Sequence, residues 1–245
     1  MSANSDPLKP AQRSKPLRVL FIGNSQVNSI CDLAAIVEGL SRSASNAKMP
    51  EILTEEIAIG GARLEDHWKD GRALSRIAAG GWDWVVIHEI IYSYGGTTQT
   101  FQEYARKFDA ASKQAGARMI FYATGETERA KTAVETMYTD AVAMARECRG
   151  RVAGGGVAWL RAWTKRPDFD FHAADRAHPN SRGFFLNACV IYAALTDTSP
   201  VGLDVAALNN SRRSPEAELL SQAEANFLEE IAWEQYHADR AGETA

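Results

Sequence analysis

Three residues have the types and the spacing that nucleophilic catalysis requires. Asp175 and His178 stand three positions apart in Ala-Asp-Arg-Ala-His-Pro-Asn, just before a stretch of helical periodicity. A carboxylate and an imidazole on one short turn can share a hydrogen bond, which fixes the ring tautomer and makes the histidine a usable base. Ser25 ends Leu-Arg-Val-Leu-Phe-Ile-Gly-Asn-Ser, where an apolar run typical of a buried strand stops at a polar turn. The pattern predicts a nucleophile, a base and an orienting acid.

Structural roles would also explain each of these residues. Ser25 could be a turn or helix-capping residue, and Asn24 a turn former or a substrate contact. Asp175 could be solvated, with His178 merely close to a helix that starts near Pro179. Catalysis is favoured only if the fold brings the serine and the acid–base pair to the same place.

Short apolar runs alternate with longer segments of helical periodicity. The runs that predict strands are 17–22, 52–59, 84–88, 117–123 and 151–157. The segments that predict helices are 28–44, 64–79, 99–115, 127–148, 181–196 and 215–236. This alternation produces right-handed βαβ crossovers, so we expect a parallel sheet of about five strands with helices on both faces. Residues 17–237 are predicted to form a single domain, with flexible tails at 1–16 and 238–245.

Ligands of such sheets bind at the carboxyl ends of the strands, and other residues besides the catalytic candidates are predicted to lie there. Gly60 and Gly61 follow the second predicted strand, and His88 and Glu89 end the third. A backbone N–H of the glycine pair could approach a developing oxyanion, although a tight turn would also explain the glycines. His67, on the following helix, is interpreted as a packed or surface histidine rather than a catalytic one.

The composition argues against several functional classes. With a formal net charge of -4 and no basic stripe, the chain is not expected to bind nucleic acid. The longest apolar stretches are far shorter than the roughly 20 residues of a membrane helix, so no membrane association is expected. The cysteines are odd in number and widely spaced, which predicts buried thiols rather than disulfides or a metal site: Cys31, Cys148 and Cys189. Residues 1–16 contain no apolar segment of signal-peptide length, so we expect a cytoplasmic protein, although a secreted chain that has lost its signal would look the same.

Together these segments resemble the SGNH/GDSL hydrolases, a superfamily of serine esterases and lipases with a three-layer α/β/α flavodoxin-like fold. The likeness spans about residues 17–203 and includes a resemblance to a little-characterised branch that begins with Gly-Asn-Ser rather than Gly-Asp-Ser. Three blocks carry it: Gly-Asn-Ser25 for the nucleophile, Gly60-Gly61 for an oxyanion donor, and Asp175-Arg-Ala-His178 for the acid and base.

The resemblance implies ester hydrolysis through an acyl-enzyme on Ser25, with His178 as the base and Asp175 as the orienting acid. The backbone N–H groups of Ser25 and Gly61 would hold the oxyanion, and no metal or organic cofactor would be needed. The branch, and the lack of a long apolar lid segment, favour short acyl groups, such as acetyl groups on a carbohydrate or small molecule. Asn24 and His88 are further candidates for contacts to the oxyanion or the substrate.

One block departs from the family pattern. The third strand ends Val-Val-Ile-His88-Glu89-Ile90, where the family usually has Gly-x-Asn-Asp, and Ile90 takes the place of the Asn side-chain donor. Loss of one preorganised donor can cost on the order of 10² to 10³ in rate. Either another group completes the oxyanion site, for which His88 and Tyr92 are candidates, or the protein is a catalytically silent binding or regulatory module.

Two further features leave alternatives open. The glycines at 154–156 and the turn at Gly23 are the basis of a third hypothesis, a flavodoxin-like nucleotide or phosphate binder, although neither matches a phosphate-binding fingerprint. Four tryptophans could line a sugar-stacking surface or belong to the core: Trp82, Trp84, Trp159 and Trp163.

Overall fold

One parallel sheet organises the chain. The structure is a computed structural model that describes residues 15–44, 49–90, 92–124 and 131–244, so the predicted tail at 1–16 lies almost wholly outside the described residues. Within them, five strands pair in the order β2-β1-β3-β4-β5: β1 Leu17–Gly23, β2 Ile52–Ala58, β3 Trp84–His88, β4 Arg118–Ala123 and β5 Arg151–Gly154. This is the doubly wound, flavodoxin-like order, whose switch point lies between β1 and β3.

The helices follow the strands in alternation. In chain order they are α1 Ser25–Asn28, α2 Leu33–Ser43, α3 Leu64–Asp70, α4 Arg72–Ala78, α5 Thr98–Gln114, α6 Lys131–Cys148, α7 Gly155–Lys165, α8 Ser181–Thr196, α9 Ala206–Asn209 and α10 Gln222–Thr244. A 3₁₀ turn, Tyr92–Tyr94, follows β3. The predicted helix at 28–44 is divided into α1 and α2, and that at 64–79 into α3 and α4.

The central strand β1 shows why helices cover both faces of the sheet. Val19 and Phe21 lie in one apolar cluster with residues of α2, α7, α8 and α10. Leu20 and Ile22 lie in a second cluster, with residues of α3, α4, α5 and α6. Successive side chains of a strand point to opposite faces, so a strand buried on both sides has a continuous apolar sequence. The predicted three-layer α/β/α fold is confirmed.

The prediction of a flexible tail at 238–245 is wrong, because α10 includes every described residue of this segment. Its polar side chains bond the outer edge of β5: Asp239 Oδ2 accepts from Gly154 N at 3.0 Å, and Glu243 Oε1 accepts from Val152 N at 2.6 Å. An edge strand leaves backbone groups without a neighbouring strand, and here a helix supplies the acceptors. The polar sequence that suggested a tail is what anchors the helix.

The prediction of a strand over 151–157 is partly wrong, because α7 begins at Gly155. The glycines at this junction allow close packing. A Cβ on Gly156 would lie 2.0 Å from Thr124 O, and one on Gly155 would lie 2.6 Å from Asn187 Oδ1. Packing against the end of β4 and against α8 therefore explains these glycines without a phosphate ligand.

The prediction for the cysteines is confirmed, and the alternative left open for the tryptophans is answered for three of them. The cysteines are free and buried, as expected: Cys31, Cys148 and Cys189. Three of the four tryptophans belong to the core, with exposed fractions of 4%, 1% and 1%: Trp82, Trp84 and Trp159. Trp163 is partly buried and stacks on the ring of His172, with 5.8 Å between the ring centroids.

Candidate active site

Ser25 lies at the carboxyl end of β1, as the first residue of the short helix α1. The residue before it, Asn24, has an extended backbone and caps this helix, since its Oδ1 accepts from Gln26 N at 3.0 Å. The strand therefore ends and the helix starts within two residues, which sets the half-buried Ser25 at the carboxyl edge of the sheet, beside the switch point.

Asp175 and His178 lie in the loop between α7 and α8 and form a chain of hydrogen bonds with Ser25. His178 Nε2 lies 2.8 Å from Ser25 Oγ, across 153 positions of sequence, and His178 Nδ1 lies 2.6 Å from Asp175 Oδ2. An ionised carboxylate only accepts, so Nδ1 carries the ring proton and Nε2 is free to accept from the serine hydroxyl. The structure thus brings together the three residues singled out by type and spacing.

The loop that carries the acid and base is fixed to the nucleophile turn. Ala173 N donates to His178 O at 2.8 Å, which closes the loop on itself. Gln26, the residue after the nucleophile, donates from Nε2 to Ala177 O at 2.9 Å. The imidazole is therefore held from both its own loop and the helix that begins at Ser25.

Asp175 is held in its ionised form. Burial acts to raise the pKa of this carboxyl, but hydrogen bonds from the side chain and backbone of His178 and from the backbone of Ala177 outweigh it and lower the pKa to about 2. The same oxygen, Oδ1, accepts both backbone N–H groups, at 2.9 and 3.0 Å. A fixed negative charge next to Nδ1 orients the imidazole and stabilises the imidazolium that proton transfer would create.

Ser25 and Gly61 present backbone N–H groups that donate to no other described residue. Gly61 has a φ of 68°, in the left-handed region where a side chain is strained. A Cβ there would meet nothing within 4 Å, so conformation rather than crowding accounts for the glycine. The turn that carries it is closed by a 3.0 Å bond from Ala62 N to Ile59 O. These are the two N–H groups that the resemblance assigns to the oxyanion.

Asn24 connects the nucleophile turn to its neighbours. Its side chain is buried, Nδ2 donates to Ala62 O at 3.0 Å, and Oδ1 lies 3.1 Å from His88 Nε2. An amide oxygen only accepts, and Oδ1 also accepts from Gln26 N, so the ring nitrogen of His88 is the donor. Asn24 and His88 are each only 1% exposed, so both lie behind the reacting groups, where they join the turn to the glycine loop and to the end of β3.

His67 holds the same turn from α3. Its side chain is fully buried, which confirms the packed interpretation, and its Nε2 donates to Gly23 O at 2.7 Å. Ile59 N donates to the same carbonyl at 3.0 Å. Burial lowers the pKa of His67, and it lowers that of His88 to about 3, so both rings are neutral at physiological pH. No local sequence signal pairs His67 with a residue 44 positions away.

The end of β3 contains a buried carboxylate next to Ile90. Glu89 accepts from Ile90 N at 2.7 Å through Oε1 and from Leu64 N at 3.3 Å through Oε2. Burial raises its pKa to about 7, against the effect of these two hydrogen bonds. Tyr92, a candidate to replace the missing donor, donates its hydroxyl to Asp140 at 2.9 Å. The hydroxyl is thus already engaged.

The described part of the chain contains neither a group of metal ligands nor a membrane-spanning helix. Its His, Cys, Asp and Glu side chains form no group of three or more that could hold a metal ion. None of the helices in the same ranges combines the length and the apolar character needed to cross a bilayer.

Solved structures of SGNH and GDSL proteins superpose on most of the chain. A protein classed with the SGNH hydrolases, from Slackia heliotrinireducens, shares 21% identity at a TM-score of 0.60, over 74% of this chain and 100% of that chain. A protein classed with the GDSL-like lipases, from Parabacteroides merdae, shares 14% identity at a TM-score of 0.54, over 76% of this chain and 97% of that chain. The chain has the SGNH hydrolase fold.

A third solved structure with a similar fold is that of an esterase. A catalytic variant of an acetylxylan esterase from Geobacillus stearothermophilus shares 14% identity at a TM-score of 0.55, over 74% of this chain and 96% of that chain. No protein-family model and no curated protein matches the sequence. The fold is therefore established by comparison of structures.

Proposed function

We propose that the protein is a serine ester hydrolase with Ser25 as its nucleophile. The observation that carries this proposal is the unbroken hydrogen-bond chain from Ser25 Oγ to His178 Nε2, 2.8 Å, and from His178 Nδ1 to Asp175 Oδ2, 2.6 Å. A serine, a base and an orienting carboxylate in this order are the parts that nucleophilic acyl transfer needs.

In the proposed cycle, Ser25 Oγ attacks the ester carbonyl carbon while His178 Nε2 takes the hydroxyl proton. The carbonyl π electrons move to oxygen, and the resulting oxyanion is held by the N–H groups of Ser25 and Gly61. When the tetrahedral intermediate collapses, the bond to the alcohol breaks and the imidazolium returns its proton to the leaving oxygen. Water then attacks the acyl-enzyme with the same proton transfers, which frees the acid and Ser25. Asp175 stays ionised throughout.

Short acyl esters, including acetyl groups on a carbohydrate, are the substrate class that we propose. The acetylxylan esterase that shares the fold supports it. Hydrolysis of p-nitrophenyl esters should give the highest kcat/KM with acetyl and fall as the acyl chain lengthens to eight carbons. Acetate release from an acetylated xylo-oligosaccharide tests the carbohydrate class. A maximum at eight carbons would contradict the short-acyl assignment while leaving the hydrolase assignment in place.

Replacement of the nucleophile tests the proposed reaction. Ser25→Ala should lower the turnover of p-nitrophenyl acetate by about 10³-fold or more, with an unchanged circular dichroism spectrum. Ser29→Ala is the matched control, because Ser29 follows α1 by one residue and its hydroxyl bonds to no described residue. Turnover retained in Ser25→Ala would contradict the proposal.

The alternative is a catalytically silent binding module. It rests on Ile90, which leaves the end of β3 without the family's side-chain donor. This alternative predicts no hydrolysis across the acyl series by the wild-type protein.

A further inference from the structure

We infer that Glu89 is a positioning residue for the proposed hydrolysis: by joining the end of β3 to the glycine loop, residues 59–64, it holds the Gly61 N–H in place without a side-chain donor at Ile90. The inference rests on the proposed function. It assigns a task to the carboxylate that follows His88.

Glu89 is an unusual residue to bury. It is 2% exposed, yet its carboxylate bonds to two backbone N–H groups, those of Leu64 and Ile90. The charge of Arg63 acts on it, but Arg63 forms its ion pairs in the described structure with other carboxylates. Burying a carboxylate without a close cation is costly. We therefore attribute the presence of Glu89 to the two backbone N–H groups that it joins.

The glycine loop is fixed at three points, and Glu89 supplies the last of them. At its start, Ile59 N donates to Gly23 O at 3.0 Å. In its middle, the side chain of Asn24 donates to Ala62 O at 3.0 Å. At its end, Leu64 N donates to Glu89 at 3.3 Å. Gly61 lies between the first two points, and the third fixes Leu64, two residues after Ala62. Release of that end loosens the loop next to Ala62, which allows the Gly61 N–H to shift relative to Ser25.

Capping of α3 is shared between Glu89 and a local residue, which bind neighbouring N–H groups. Asp66 Oδ2 accepts from Arg63 N at 2.9 Å, at the residue that precedes the helix. Asp66 and Glu89 thus both bind the beginning of α3, but only Glu89 connects it to the end of β3. This difference supplies a matched pair of variants.

Glu89→Gln should lower kcat for p-nitrophenyl acetate by about 10- to 100-fold, with KM within about twofold, because displacement of a reacting group by about 1 Å can cost 10² in rate. Glutamine fits the space but offers only one acceptor oxygen, and its amide N–H₂ faces the second backbone donor. Asp66→Asn should leave kcat within about twofold while lowering the melting temperature. Glu89→Asp, which keeps the charge but is shorter, carries the same prediction if Glu89→Gln does not fold.

The pH profile gives a readout that a structural role would not move. Burial raises the pKa of Glu89 to about 7, so the ratio of wild-type to Glu89→Gln kcat should rise between pH 6 and 8, as the carboxylate ionises and accepts both N–H groups. The groups that act on it among the described residues are Arg63, which precedes α3, Asp66 on α3 and Tyr92 in the 3₁₀ turn. Their pKa values are displaced away from neutrality: the bond to Asp66 raises that of Arg63, the Arg63 backbone lowers that of Asp66, and burial raises that of Tyr92.

The outcomes separate this inference from the proposed function. An active wild type with an unchanged kcat in Glu89→Gln, or an equal loss in Asp66→Asn, would overturn the positioning role alone. An inactive wild type would overturn the proposed function and the positioning role with it. A loss of kcat confined to Glu89→Gln, with a pH-dependent ratio, supports both.

Discussion

The residues on the two sides of Ser25 differ in their exposure and in their separation along the sequence. On one side, Asp175 and His178 lie in a loop, with 51% and 29% of their side chains exposed, and they are three residues apart. On the other side, a buried group of residues from separate elements supports the turn: Asn24, His67, His88 and Glu89. We call the first the acid–base arm and the second the buried support.

The difference follows from what each side must do. In the proposed reaction the acid–base arm handles a proton, so it needs a position that substrate and water can reach, and the strong hydrogen bonds to Asp175 keep that carboxylate charged. In the same proposal the buried support holds backbone N–H groups in place, and burial keeps His67 and His88 neutral. Damage to the arm should therefore stop turnover without unfolding the protein, whereas damage to the support should reduce both turnover and stability.

The largest effect is expected from the acid–base arm. Asp175→Asn should lower kcat by about 10² to 10⁴-fold, because the amide favours the wrong imidazole tautomer and cannot stabilise an imidazolium. The free energy of unfolding should change by no more than about 1 kcal/mol, since the pair is half exposed. Steady-state kinetics and urea denaturation measure the two quantities.

Asp168→Asn is the control for that variant, because Asp168 lies in the same loop and pairs with Arg166 at 2.7 Å. It should leave both quantities unchanged. A large loss of stability in Asp175→Asn would remove the distinction between the arm and the support.

An intermediate effect is expected from the buried support. Asn24→Ala leaves the buried Ala62 O and His88 Nε2–H without their partner, so the free energy of unfolding should fall by about 3 kcal/mol. kcat should fall by about 10- to 100-fold as the glycine loop moves relative to Ser25. Asn28→Ala, at the end of α1, removes a single hydrogen bond to Glu56 of β2 and should change activity little. Full activity in a destabilised Asn24→Ala would restrict the support to a folding role.

The last expected effect is on the pH dependence of stability. The pKa of Glu89 is raised to about 7 in the folded protein, above its ordinary value of about 4.3, so the folded state binds more protons between these values. By linkage, the free energy of unfolding falls as the pH rises through this window, by up to about 3 kcal/mol for this group. Glu89→Gln should lack that fall. Urea denaturation at pH 5 and pH 8 compares the two proteins, and parallel pH profiles would contradict the shifted pKa.

The acid–base arm could be predicted from sequence because its contacts are local. Asp175 and His178 are neighbours in the chain, and Ser25 directly follows a strand whose burial on both faces gives an unbroken apolar run. The order of strands and helices then places the Asp175–His178 pair and Ser25 at one edge of the sheet. The fold class was predictable for the same reason.

The buried support could not be predicted, since its hydrogen bonds cross the sequence. They join Asn24 to residues 38 and 64 positions away, and His67 to one 44 positions away. The end of α10 was missed for a related reason, because Asp239 and Glu243 are polar residues whose partners are backbone groups of β5. Periodicity detects apolar faces, and it does not detect polar side chains that bond a distant strand.

Covalent labelling with a fluorophosphonate, followed by mass mapping, tests the central claim most directly. The reagent phosphonylates a serine only where a base and oxyanion donors activate it. The wild-type protein should gain one phosphonyl group, located on Ser25, and Asp175→Asn should react much more slowly. Absence of label, or label on another serine, would contradict the account of Ser25 as an activated nucleophile.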